Sequence, residues 1–172
     1  MIELEKTYLV RSLPPDLQHF PHERLLDVYF PDEVRHPRMR LRKKGETMEL
    51  TKKVPVVEGG DGSSHYEYTI TLDADEYKAL ATIPGKRVEK LRYAYQWQGR
   101  PVEIDIFLGS LAGLVMADIE FESRADFDQM AMPEFCLADV THEDLIRGGE
   151  LCGRSYADLQ PLLDRYGYRV LN

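Results

Sequence analysis

Like-charged residues recur two apart along the strand-like runs of this chain, and this pattern limits its fold more than any other feature. Glu3 and Glu5, Arg40 and Arg42, Lys90 and Arg92, Glu103 and Asp105, and Asp118 and Glu120 are such pairs. Thr51 with Lys53, and His65 with Glu67, repeat the spacing. Side chains alternate between the two faces of a strand, so residues i and i+2 point the same way. The positions between them are apolar: Ile2 and Leu4, Met39 and Leu41, Leu91 and Tyr93, Ile104 and Ile106, and Ala117, Ile119 and Phe121. One strand facing water would show the same alternation. The set differs because its pairs are not mixed with Ser, Thr, Asn or Gln, and because acidic and basic pairs occupy separate strands. A sheet closed on itself accounts for both, with the charged face inward and the apolar face under a cover of helices.

Eight strand-like runs support such a sheet: 2–10, 25–30, 38–43, 48–54, 66–72, 88–98, 101–107 and 115–122. Lys44-Gly45-Glu46 and Gln98-Gly99-Arg100 have hairpin chemistry. Glu58 to Ser64 is a flexible hairpin loop by composition. Residues 13–37 carry five prolines and read as irregular around the apolar run LLDVYF. Helices are predicted over 74–83 behind Asp73, over 124–132 behind Ser123, and over 155–166 before Gly167. The expected architecture is α+β: an eight-stranded antiparallel closed tunnel barrel with a charged interior and helices packed outside. The 172 residues suit a single domain over 1–172.

The net charge of −8, from 22 basic and 30 acidic residues, disfavours a nucleic-acid partner. No run approaches the ~18 apolar residues of a membrane span. The first residues lack a signal peptide's basic and apolar regions. Cys136 and Cys152 form no CxxC pair and suit free thiols in a reducing compartment. A cytoplasmic protein without membrane contact is expected.

The predicted interior sets Glu3, Glu5, Glu67, Glu103, Asp105, Asp118 and Glu120 against Arg40, Arg42, Lys53, Lys90 and Arg92. Two like charges about 4 Å apart repel by ~4 kcal/mol at an effective dielectric of 20. A hard divalent cation relieves that repulsion among carboxylates, which suits Mg²⁺ or Mn²⁺. Arginine forks match phosphate oxygens, and lysine adds a point charge. Carboxylates beside a cationic group therefore fit a metal–polyphosphate complex, with the acidic residues on the metal and the basic ones on phosphate oxygens.

The same residues resemble the CYTH superfamily, the triphosphate tunnel metalloenzymes. Glu3-Leu4-Glu5-Lys6-Thr7 is similar to the family's ExExK mark, with Thr7 where the lysine belongs and Lys6 one place early, facing outward. Arg40-Leu41-Arg42, Thr51-Lys52-Lys53, Glu67, Lys90-Leu91-Arg92-Tyr93, Glu103-Ile104-Asp105, Asp118-Ile119-Glu120 and Asp139-Val140-Thr141 follow in the family's order. Thr69 replaces a second glutamate, and Asp118 stands where glutamate is commoner. The resemblance spans about residues 2 to 160. It implies a metal site at Glu3, Glu5 and Glu120 with Asp118, triphosphate held by Arg40, Arg42, Lys53 and Arg92, and Lys90 as general base toward water. It also implies a homodimer, since family members are often dimers.

The expected function is metal-dependent hydrolysis of a small triphosphate, foremost inorganic tripolyphosphate. The alternatives are a non-catalytic module binding polyphosphate or a nucleoside triphosphate, an adenylyl cyclase and a thiamine triphosphatase. His19 and His22 are read as solvent-exposed, Tyr93, Tyr95 and Trp97 as packing, and Cys136 as no nucleophile.

Overall fold

The computed structural model describes residues 2–34, 37–56, 64–146 and 148–171, without the side chains of residues 2, 3, 64, 65 and 148. The predicted loop over 58–64 therefore lies almost wholly outside the described residues. Among the described residues nine strands form one antiparallel sheet: β1 (Ile2–Val10), β2 (His22–Phe30), β3 (Met39–Lys44), β4 (Thr47–Pro55), β5 (Ser64–Thr71), β6 (Lys86–Trp97), β7 (Arg100–Phe107), β8 (Val115–Glu120) and β9 (Cys136–Asp139). Four α-helices accompany them among the described residues: α1 (Ala74–Leu80), α2 (Arg124–Gln129), α3 (Gly148–Leu151) and α4 (Tyr156–Arg165).

The strand order is β5-β4-β3-β2-β6-β7-β8-β1-β9. β1 also pairs with β5 over Ile2–Leu4, so β5 meets the far side of the sheet along three register positions. The expected eight strands thus become nine, and the sheet is not the closed barrel expected: β1 and β5 touch only along this short seam. The added strand β9 pairs with the C-terminal half of β1. β2 starts at His22, inside the stretch predicted irregular. Its first residues are held by pairing with β6, as in His22 opposite Tyr93, rather than by any pattern of their own.

The apolar faces pack as the alternation requires. Tyr8, Val10, Val102, Ile104, Ala117, Ile119 and Phe121 form one core with Phe127 of α2 and Phe135. Tyr95 is buried there, and Tyr93 and Trp97 pack against it. Lys6 points to this outer side, its ammonium 4.8 Å from the centre of the Phe127 ring. A second core joins inward-facing Leu9, Val88, Phe107 and Met116 to Val140, Ile146, Leu151 and Leu159, Leu162 and Leu163 of α4. α4 buries three leucines at helical spacing, and its N-terminus carries a reciprocal Ser155–Asp158 capping box. α1 and α2 end earlier than predicted, at Leu80 and Gln129, and so stop short of Pro84 and Pro133. Among the described residues no helix is long and apolar enough to cross a membrane.

Candidate active site

The inward faces enclose a cavity of about 670 Å³. Glu5, Arg40, Arg42, Lys53, Glu67, Lys90, Arg92, Glu103, Asp105, Asp118 and Glu120 all line it. Among the site residues read from the sequence only Glu3 is unplaced, its side chain lying outside the described residues. Strand parity produces the convergence, and sheet order sorts it. The basic residues come from β3, β4 and β6, whereas Glu5, Glu103, Asp105, Asp118 and Glu120 come from the adjoining β7, β8 and β1.

Ion pairs form within the basic side and across its border with the acidic strands. Arg42 donates Nε and Nη2 to the two carboxylate oxygens of Asp27, each at 2.7 Å. Arg92 makes the same fork on Asp105, again at 2.7 Å twice, and also pairs with Glu103. Lys90 donates Nζ to Asp105. Lys53 lies 3.3 Å from Glu67, its register partner on β5. Arg40 differs: its Nε is buried and has no hydrogen-bond partner among the described residues. A buried donor left unpaired is costly, so this N–H is suited to an acceptor brought in from outside.

The electrostatics follow from these contacts. Burial lowers the Lys90 ammonium's pKa, and Arg92 lowers it further, against the pull of Asp105. Burial would raise the carboxyls of Asp105 and Asp27, but the forks and nearby ammonium of Lys90 hold both below the ordinary range. Asp118 goes the other way. Burial, followed by the charges of Glu5 and Asp105, lifts it to about 7.

Asp118 belongs to an acidic group set by register. Glu5 faces Glu120 across β1 and β8, and Asp118 sits between Thr7 and Glu103. Like charges so placed repel. All the donors are hard carboxylate oxygens, the set a small divalent cation takes. Among the described residues no three His, Cys, Asp or Glu side chains are gathered as a ready-made ion site.

Several residues of the site were not read from the sequence as functional. Asp27 is 1% exposed inside the otherwise apolar run LLDVYF. Its signal was a carboxylate at a buried position, which needs a cationic partner. Thr7 donates its hydroxyl to Asp118 at 2.8 Å, and Thr141 accepts the Thr7 backbone N–H at 3.1 Å. Asp144 and Glu150 also line the cavity, from segments with no legible motif. Asp105, grouped by sequence with the metal-holding carboxylates, has both oxygens engaged by Arg92 and Lys90. Cys136 is buried and its thiol is pushed up to about 12, first by burial, so it offers no thiolate. His22 stacks on Tyr93 with ring centres 4.5 Å apart, and is not aimed with His19 at a shared ligand.

An inward-facing charged sheet with these ordered motifs defines a triphosphate-tunnel type of protein, and comparison with known proteins agrees. The chain is 31% identical over 146 residues to an inorganic triphosphatase of Nitrosomonas europaea, covering 83% of this chain and 91% of the relative. An inorganic triphosphatase of Acetivibrio thermocellus is 29% identical over 102 residues, or 58% of this chain and 64% of the relative. The crystal structure of the inorganic triphosphatase NE1496 superposes with a TM-score of 0.64 at 25% identity, covering 88% of this chain and 94% of that one. No protein-family model matches the chain. On the first of these relatives, the chain belongs to the inorganic triphosphatase family of the CYTH superfamily.

Proposed function

We propose that this protein hydrolyses inorganic tripolyphosphate to pyrophosphate and phosphate in a tunnel-like cavity, as one CYTH-type unit over residues 1–172, with Mg²⁺ or Mn²⁺. The observation that carries this reading is the division of one cavity into a basic and an acidic side, with the buried Arg40 Nε left without a hydrogen-bond partner among the described residues. The basic half suits a polyanion, and the acidic half suits a cation bound with it.

Arg40, Arg42, Lys53 and Arg92 bind phosphate oxygens and set the chain of three phosphorus atoms in place. Glu67 orients Lys53 through their ion pair. Lys90, held by Asp105, takes a proton from a water molecule. The water oxygen forms a bond to a terminal phosphorus, the P–O bond to the bridging oxygen breaks, and that oxygen leaves with the electron pair as part of pyrophosphate. Glu5, Asp118 and Glu120, with Glu3 and Glu103, would hold the divalent ion. When bound, it offsets carboxylate repulsion and withdraws charge from the phosphate oxygens. Asp105 serves Lys90 and Arg92, since its oxygens are taken.

The test is phosphate release from tripolyphosphate, ATP and thiamine triphosphate, each with Mg²⁺ and with Mn²⁺. Release from tripolyphosphate above the other two is expected. Tripolyphosphate that binds without release would make the protein a binding module.

A further inference from the structure

Asp27 is a buried carboxylate of the cavity that neither the proposed ion site nor the base uses, and unlike Glu150, which pairs with Arg154, it holds one of the phosphate-binding arginines. It lies on β2 directly opposite Arg42 of β3 and opposite Val88 of β6. Its side chain is 2% exposed and that of Arg42 is 10% exposed. We propose that Asp27 is a positioning residue that holds Arg42 edge-on and counterweights the basic half, so that triphosphate is gripped in one orientation and its product is not held too tightly to leave. The inference rests on the reading of this cavity as a triphosphate site.

The orienting role follows from the fork. It takes the Nε and one Nη2 hydrogen of Arg42, leaving the Nη1 hydrogens and the second Nη2 hydrogen for another acceptor. Rotation of the guanidinium would break two charge-assisted bonds in a buried place, so the remaining donors keep one direction.

The counterweight role follows from charge. Arg40 and Lys90 also act on the Asp27 carboxylate, so one anion faces three cations. Asp105 plays the matching part beside Arg92 and Lys90. A polyanion bound equally well before, during and after reaction gains nothing in turnover from extra attraction. Pyrophosphate keeps most of the substrate's charge, so excess attraction would slow its release.

The test is a double-mutant cycle on the full chain, reading the KM and kcat for tripolyphosphate and the inhibition constant of pyrophosphate. Asp27→Asn should lower both the KM and the inhibition constant about tenfold, the scale of one unit charge near a bound anion. Its kcat should fall as well. Loss of folded protein cannot mimic this, because it lowers the apparent kcat and leaves KM unmoved. Arg42→Gln should weaken affinity, and Asp27→Asn added to it should restore affinity toward wild type. That double variant buries no unpaired charge, so it remains informative if Asp27→Asn alone does not fold. Unchanged or weaker affinity on removing Asp27, in either background, overturns the inference and leaves hydrolysis standing. If the wild type binds tripolyphosphate but releases no phosphate, the same cycle read by calorimetry decides the role of Asp27, and only hydrolysis falls. If the wild type does not bind tripolyphosphate, both fall together.

Discussion

At the scale of single residues, position 7 sets this chain apart from the ExExK pattern it otherwise resembles. Thr7 spends its hydroxyl on Asp118, and the acidic side of the cavity has no lysine in that place. Burial, then the charges of Glu5 and Asp105, pushes Asp118 up to about 7, and a cation beside it would favour the ionised state. Thr7→Lys is expected to tighten tripolyphosphate binding by about 10- to 100-fold, the worth of a charged hydrogen bond, as measured by calorimetry. Weaker binding would mean that another group already fills the lysine's role. Lys90→Met should cut kcat by about 10²- to 10⁴-fold with little change in KM, since its part is to move a proton. Because burial and Arg92 lower the Lys90 pKa, the wild-type rate should rise with pH through an inflection below the ordinary lysine value of about 10.4. A pH–rate profile without that inflection would remove Lys90 as the base.

At the scale of elements, the strands were legible and the cavity's apolar wall was not. Alternation in β3, β6, β7 and β8 suffices to put Arg40, Lys90, Asp105 and Asp118 on one face. Each of those strands is long enough for period two to show. β9 is only four residues long, and α3 is also four, so neither carries a periodic signal. They exist because β1 and the second core hold them. Asp27 was obscured for a related reason: an apolar run marks burial, but it does not say which single polar residue in it has a partner waiting across the sheet. Val88, Phe107, Met116, Val140, Ile146 and Leu151 wall the cavity, backed by leucines of α4. Leu163→Ala, at a fully buried position of that helix, should cost about 2–5 kcal/mol. Thermal melting should show it as a fall in Tm of several degrees, about 2–4 °C per kcal/mol for a chain this size. A melting temperature within a degree of wild type would mean that α4 is not part of the cooperative core.

At the scale of the whole molecule, metal dependence and fold stability should separate. Two apolar cores and the strand ladder pack the fold, and on the proposed function the acidic side would hold its cation for activity. Excess chelator is therefore expected to abolish phosphate release while the circular dichroism spectrum and Tm stay within a few degrees. Returning Mg²⁺ or Mn²⁺ should restore the rate. Unfolding by chelator would assign the ion a structural role instead. The place of β1 in the chain has a further consequence, for the order in which the protein can be made. β1 carries Glu5 and Thr7, yet its partners β8 and β9 follow by more than 100 residues, and the Thr7–Asp118 and Thr7–Thr141 bonds span 111 and 134 positions. During synthesis the first strand must wait, unpaired on those sides, until β8 and β9 have left the ribosome. A truncated nascent chain can form the β2-β3-β4 hairpins but not the pocket, so capacity for triphosphate arrives in one late step rather than growing with length.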